Sequence, residues 1–350
     1  MSNFHSLCVK EVKKETATAV SIVFDIPEKL THEFKFIPGQ YIVVKKDIEG
    51  EEVRRAYSIC SSPASGELRI AVKAVSNGTF SVFATTLLKE GDILEVSKPE
   101  GKFVLNTSKE QSNNYLGIAA GSGITPVMAM VKATLSEEPN SLFVLIYGNK
   151  TPDNTIFKSE IDALKNNYPT KFQIQYIFSR AHIDSALSGR IDKNMVNFIL
   201  KNKFKDIAFD TAFLCGPEAM ITSAKETLVE NGFVENTILF ELFSVPVSEN
   251  ETALNLGSTS EITIIVDDEE TTFTMDPKTT ILSSALKEGI DAPYSCQGGI
   301  CSSCLAKITA GEAVMDKNTI LTDAEVNDGL ILTCQAHPTT QKITIDYDEV

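Results

Sequence analysis

The chain has 350 residues, 43% hydrophobic and 23% charged, with 47 acidic against 32 basic side chains and a formal net charge of −15. At roughly 150 residues per domain this predicts two or three domains with full cores and excludes a disordered or fibrous chain. The acidic balance also argues against nucleic acid and anionic membrane surfaces as partners, because both demand a basic footprint.

The opening MSNFHSLCVKEVKKE has no apolar segment of signal-peptide length, and no stretch reaches the roughly 18 consecutive apolar residues that span a bilayer. The expected location is therefore cytoplasmic. Seven cysteines are too few, and odd in number, for a secreted disulfide scaffold. Cys8, Cys60 and Cys215 are scattered, whereas Cys296, Cys301, Cys304 and Cys334 fall close to the C-terminus. Charge is uneven too: residues 261–350 hold 16 acidic residues against 5 lysines, which is −11 of the total.

In chain order, short apolar or alternating runs at 7–12, 18–24, 41–44, 56–60, 68–75 and 93–96 are separated by Pro, Gly and Asn-Gly turn signals. They predict an antiparallel barrel or sandwich over residues 1–106, interrupted by a helix at 80–88. Residues 107–243 then alternate strands (115–119, 142–147, 172–178, 211–214, 237–240) with helices (126–135, 157–166, 193–201, 218–231). That order calls for a doubly wound α/β parallel sheet. Residues 244–260 read as a Ser-, Thr- and Asn-rich linker. Residues 261–350 form a third, compact α+β unit, with strands at 262–266, 271–275, 305–308 and 343–347 and a helix at 281–288.

The most specific motif is Cys296-x4-Cys301-x2-Cys304 followed at a distance by Cys334, the ligand spacing of a plant-type [2Fe–2S] cluster. Gly298 and Gly299 let the loop backbone approach the sulfurs, and Cys334 closes the cage from a distant strand. Structural zinc would want paired C-x2-C spacings, of which only one is present; inert buried cysteines are the remaining alternative. This module resembles plant-type [2Fe–2S] ferredoxins of the β-grasp type. Its acidic excess would steer a basic electron-transfer partner, or simply solvate the surface.

In the first domain, Pro38-Gly39-Gln40-Tyr41 precedes Arg55-Ala56-Tyr57-Ser58. A flavin needs a cation for its phosphate, an aromatic partner and a hydrogen-bonding group near N5, and one strand presents all three because alternate side chains share a face. Gly121-Ser122-Gly123-Ile124-Thr125-Pro126 follows a predicted strand and opens a helix, allowing close approach to a pyrophosphate. Cys215-Gly216-Pro217 repeats that placement, so both turns should face one crevice.

These motifs in this order resemble the ferredoxin–NADP reductase family over residues 3–243. The resemblance implies that Arg55, Ala56, Tyr57 and Ser58 contact the flavin, that Thr125 lies beside the isoalloxazine, that Gly121 to Gly123 hold the nucleotide's pyrophosphate, and that Cys215, with Gly216 and Pro217, lies by the nicotinamide. Ser58 and Cys215 would be the catalytic pair. Ile70, Val72, Lys73, Gly78, Phe80 and Ser81 resemble the family's second flavin-phosphate region, and Glu241 and Phe243 its closing E-x-F. Ser179-Arg180, with Arg190, looks like a 2′-phosphate site, which favours NADPH over NADH.

Fusion to a C-terminal ferredoxin narrows the resemblance to the reductase components of multicomponent oxygenases. GNKTPDNTIFKSE (148–160), SGRID (188–192) and the CQGGIC loop point among these to the phenylacetyl-CoA epoxidase group. Phthalate-type reductases share the domain order but carry FMN, so FAD is preferred with FMN open. The implied partner is an oxygenase component with a basic docking surface. Another soluble acceptor, such as a ferredoxin or haem protein, and a redox-sensing regulator without turnover are the alternative functions.

Overall fold

β-Branched and aromatic residues set between tight turns make residues 4–97 a strand-rich segment. The computed structural model describes residues 4–243 and 259–350. The first six strands are β1 (Phe4–Thr16), β2 (Ala19–Asp25), β3 (Tyr41–Ile48), β4 (Glu51–Ser58), β5 (Leu68–Lys73) and β6 (Ile93–Ser97), with helix α1 (Thr79–Thr86) between the last two. They pair antiparallel in the order β4-β3-β6-β1-β2-β5. Ile59 bridges to Ile70 and joins the two ends, so the architecture is a barrel rather than a sandwich. Ile22, Ile42, Val44, Ile70, Val72 and Val96 fill its core.

The fourth strand starts five residues earlier than the apolar run at 56–60 predicts and ends at Ser58. Glu49 (φ 57) and Gly50 (φ 87) are both left-handed, the geometry of a two-residue hairpin turn. It continues the ladder through Asp47↔Glu52 and Ile48↔Glu51, where Glu51 and Glu52 carry no apolar signal.

Residues 114–242 build β7 (Asn114–Ala120), α2 (Ile124–Glu137), β8 (Leu142–Asn149), α3 (Lys158–Asn167), β9 (Phe172–Phe178), β10 (Leu187–Ser188), α4 (Lys193–Phe198), β11 (Thr211–Gly216), α5 (Glu218–Glu230) and β12 (Ile238–Leu242). The sheet is parallel, in the order β10-β9-β8-β7-β11-β12. The chain winds outward from β7 to β10 and returns to β11 on the other side, so the strand order reverses between β7 and β11. The helix expected over 193–201 divides into α4 and a π-helical turn, Ile199–Lys203.

Barrel and sheet form one compact unit over residues 4–243. Arg69 of the barrel donates to Glu15 (2.7 Å) and to Glu160 of α3 (3.2 Å), and Lys132 of α2 also reaches Glu160 (2.6 Å). Both cations lie over the buried Phe157 ring, at 5.1 and 5.8 Å from its centroid. Burial of this charge chain makes its geometry costly to disturb, since removing one member strands another.

The second unit contains β13 (Ser260–Val266), β14 (Glu269–Met275), α6 (Ile281–Lys287), β15 (Leu305–Ala310), β16 (Ala313–Met315), α7 (Asp323–Asn327), β17 (Leu330–Leu332), β18 (Ala336–Pro338) and β19 (Lys342–Asp346). Its main sheet runs β14-β13-β19-β15-β17, with β16 and β18 paired separately. Ile262, Ile264, Leu282, Ala306, Ile343 and Ile345 form the core under α6. Of the expected linker, 244–258 lie outside the described residues, and Ser260 already opens β13.

Candidate functional site

Strand β4 ends at the barrel mouth, and alternation puts Arg55 and Tyr57 on one face, opposite Val44 and Ile42 of β3. Arg55 is exposed. The Tyr57 ring packs on Phe80 of α1 (centroids 5.5 Å apart), and burial holds its phenol well above the ordinary range against the pull of Arg55. Ser58, on the other face with Ala56, donates its hydroxyl to Glu241 Oε2 at 3.1 Å. Cation, aromatic ring and hydroxyl therefore converge on one strand end, a donor set that fits a flavin nucleotide. Ile70, Val72 and Phe80 are 0 to 1% exposed within the barrel core, so only their backbone is free to serve a cofactor. Ser81 Oγ accepts from Val75 N (3.2 Å) and closes the loop containing Gly78.

Glu241 of β12 stands beside Cys215 of β11 in the parallel register. Burial raises its carboxyl to about 8, with the Ser58 hydrogen bond opposing. Burial, reinforced by Glu241, also pushes the fully buried Cys215 thiol well above its ordinary value, which favours the thiol over the thiolate. Because Glu241 stays protonated in the fold long after it would ionise in the unfolded chain, native stability is eroded as pH rises from about 4.5 to about 8. Replacing Glu241 by Gln should therefore stabilise the protein at pH 9 by on the order of a few kcal/mol and leave it nearly unchanged at pH 5. Denaturant titrations at the two pH values check this; an equal difference at both contradicts it.

The turn Gly121–Gly123 follows β7 directly, at the point where the strand order reverses, the usual ligand crevice of an open α/β sheet. Gly121 is left-handed (φ 56), and Tyr147 donates its hydroxyl to the Gly121 carbonyl at 2.9 Å. A Cβ on Gly123 would lie 2.1 Å from the Cys215 carbonyl oxygen, so the two turns pack backbone to backbone. Thr125, 2% exposed, donates to the Ser122 carbonyl. Lys73 reaches the same turn, its Nζ 3.7 Å from where a Gly121 Cβ would stand. Burial and then Lys150 lower its ammonium. Neither lysine is paired with a carboxylate among the described residues. An anionic pyrophosphate fits that pair; sequence reasoning missed Lys150, which has no motif of its own.

Ser179 and Arg180 are exposed just past β9. Strand β10, invisible in the sequence because two residues carry no periodicity, sets Ser188 beside Phe178. Gly189 N then donates to the Phe178 carbonyl, so Arg190 and Arg180 leave the same sheet edge.

In the second unit the four cysteines converge. Cys301 Sγ is 3.1 Å from Cys296 Sγ, and Gly298 N donates to Cys296 Sγ at 3.4 Å. Hydrogen bonds from the Cys301 and Cys334 thiols, with those of the Gly298 and Ile300 amides, hold the Cys296 thiol well below its ordinary range. Gln297 is left-handed (φ 51) and so is Gly299 (φ 69), which turns the loop amides inward. Cys334 sits in the turn between β17 and β18, not on a strand, because the cage needs its backbone to bend toward the loop. Four thiols in a cradle of inward amides fit a [2Fe–2S] cluster.

Together these sites define a class: an oxidoreductase that joins a flavin, a pyridine nucleotide and an iron–sulfur cluster in one chain. Family models match in the same order: an oxidoreductase FAD-binding domain (residues 7–105), an oxidoreductase NAD-binding domain (118–226) and a 2Fe-2S iron-sulfur cluster binding domain (264–339). The chain belongs to the same family as a 1,2-phenylacetyl-CoA epoxidase component of Escherichia coli (strain K12), to which it is 40% identical over 352 residues, covering 99% of both chains. The ferredoxin reductase component of 3-ketosteroid-9-alpha-monooxygenase from Rhodococcus rhodochrous is 30% identical over 97% of this chain and 96% of its own. Phthalate dioxygenase reductase shares the fold, with a TM-score of 0.62, 22% identity and 98% of each chain covered. Among the described residues no helix is long and apolar enough to cross a membrane.

Proposed function

We propose that the protein carries electrons from NADPH through FAD and its [2Fe–2S] cluster to the oxygenase component of a phenylacetyl-CoA epoxidase-type system, in the cytoplasm. The observation that carries this reading is the four-thiol cradle on the same chain as the crevice between β7 and β11, together with near-complete overlap with the epoxidase component. When bound, the flavin supplies the conversion of a two-electron donation into the single electrons a [2Fe–2S] cluster accepts.

The chain's own residues bind, orient and exclude water. Arg55 holds the flavin phosphate, Tyr57 covers its ring system and Ser58 hydrogen-bonds at the N5 edge, held there by neutral Glu241. Ala56 and the backbone around Ile70, Val72, Gly78, Phe80 and Ser81, with Lys73, complete the flavin side, and Phe243 closes it. Gly121 and Gly123 hold the pyrophosphate at the start of α2 and Thr125 lies beside the isoalloxazine, while Cys215, Gly216 and Pro217 form the wall beside the nicotinamide. Cys296, Cys301, Cys304 and Cys334 ligate the cluster.

A basic docking surface on the oxygenase is supported by the exposed acidic rim of the second unit: Asp267 to Glu270 at the β13–β14 turn, with Asp348 and Glu349 close by.

Ser179, Arg180 and Arg190 are assigned to the 2′-phosphate. Replacing Arg180 by Ala should raise KM for NADPH about 10- to 100-fold, the worth of a charge-assisted hydrogen bond or two, with little change for NADH. Steady-state dye reduction with each nucleotide tests it; equal effects remove the assignment. The whole proposal is tested by reconstitution: purified holoprotein should support NADPH-driven turnover by an epoxidase-type oxygenase component, and failure with fully loaded protein would reject that partner.

A further inference from the structure

Tyr147 lies near the end of β8, beside Ala119 of β7 and Tyr176 of β9. It is 0% exposed, and its ring belongs to the core that contains Ile124 and Phe157. A residue so placed reads in the sequence as one more apolar strand position. Its hydroxyl nevertheless donates to the Gly121 carbonyl at 2.9 Å and lies 3.4 Å from the Ile156 carbonyl. A phenol has one hydrogen to give, and the shorter contact takes it. Burial holds the phenol far above its ordinary range, against the pull of the Asn149 side chain and the Ile156 carbonyl, so the hydroxyl keeps that hydrogen at every working pH.

This bond fixes which way one peptide plane faces. In a trans peptide the C=O and the following N–H point in opposite directions, and no described peptide of this chain is cis. With the Gly121 oxygen turned in to the buried hydroxyl, the Ser122 N–H is turned away from the core. Gly121 supports that plane by its left-handed backbone (φ 56), which an L side chain adopts only at a cost. The other end of the turn is fixed independently, where Gly123 packs on the Cys215 carbonyl. The turn is thus held at both ends, by a side-chain hydroxyl at Gly121 and by backbone packing at Gly123.

We propose that Tyr147 is a positioning residue for nucleotide binding, whose hydroxyl locks the Gly121–Ser122 peptide so that the Ser122 N–H is already presented when the pyrophosphate arrives. Tyr147 itself touches no ligand. It removes the freedom of that peptide to turn over, so binding does not have to offset the cost of ordering it. The effect is shared by NADPH and NADH, because both carry the pyrophosphate, and it falls on binding while the geometry at the nicotinamide is unchanged. The inference rests on the crevice between β7 and β11 as the nucleotide site, as proposed above.

Tyr147→Phe removes the hydroxyl and keeps the ring in the core. In steady-state dye reduction by the holoprotein, KM for NADPH and KM for NADH should each rise about three- to tenfold, the worth of one hydrogen bond. The kcat per flavin should stay within about twofold of wild type, the mark of lost binding with chemistry intact. Gly121→Ala tests the route. Its added methyl meets only the flexible end of Lys73, at 3.7 Å, and strains the same peptide through φ alone, so the double variant should bind no worse than the poorer single one. An unchanged KM for both nucleotides, a rise confined to NADPH, a fall in kcat to match the rise in KM, or additive effects in the double variant overturns the proposal. Wild-type holoprotein that oxidises neither nucleotide would reject the crevice reading and this proposal with it, a result distinct from all of these.

Discussion

Replacing Cys301 by Ala should abolish electron delivery to the terminal acceptor, by a factor on the order of 10² or more, while NADPH still reduces the flavin at close to the wild-type rate. Cys301 is the middle cysteine of the motif, 8% exposed, with its sulfur against that of Cys296. Its loss leaves three thiols and a cradle of amides with too few ligands. The second unit has its own sheet and core, assembled from residues 259–350, and the cores of the first unit are built from residues of 4–243 alone. Stopped-flow flavin bleaching, measured alongside acceptor reduction, separates the two activities. Equal loss of both would contradict the division of labour proposed between the two units.

Replacing Gly123 by Ala is the second large effect. The added methyl would sit 2.1 Å from the Cys215 carbonyl oxygen and 2.5 Å from its carbon, and both are backbone atoms of a central strand. The β7–α2 turn must lift away from β11, opening the crevice where the nicotinamide and pyrophosphate are proposed to lie. Overpacking of this kind costs about 1–3 kcal/mol. The functional loss should exceed the stability loss, because a displacement near 1 Å at a reacting geometry can cost about 10²-fold in rate. Rapid-reaction flavin reduction by NADPH should fall by that order, while cluster content stays unchanged. Gly232→Ala is the control: unlike Gly123 (φ −60) it is left-handed (φ 92), and it has nothing within 4 Å of its Cβ position, so it should cost only local strain.

The parallel sheet was almost fully legible in the sequence. Buried strands such as β7 and β8 are near-continuous apolar runs, and each is followed by a helix with its own period. The barrel was harder because its hairpins are held by charged ladders: no hydrophobic count marks Glu51 and Glu52 as the start of β4. Spacing alone nominated the four cysteines, and their chemistry then predicted the loop around them. The turn that carries Cys334 was misread as a strand because only the fold reveals where β17 stops.

Groups that act through contact rather than through a motif were invisible. Lys150, just past β8, acts on Lys73 through its charge, and Arg69 meets Glu160 across 91 positions of sequence. Tyr147 meets the Gly121 carbonyl from 26 positions away, inside a run that reads only as a buried strand. Cys215 shows the opposite case: its motif nominates it, and the fold buries it fully beside Glu241 on the neighbouring strand.

Anaerobic mixing of NADPH with fully loaded protein, followed by flavin absorption and by freeze-quenched EPR of the cluster, tests the central claim most directly. The account predicts flavin bleaching first, then growth of the reduced [2Fe–2S] signal to one spin per chain. Flavin bleaching with a cluster that stays oxidised on the timescale of turnover would contradict it, and would leave the chain as a redox sensor instead of an electron carrier.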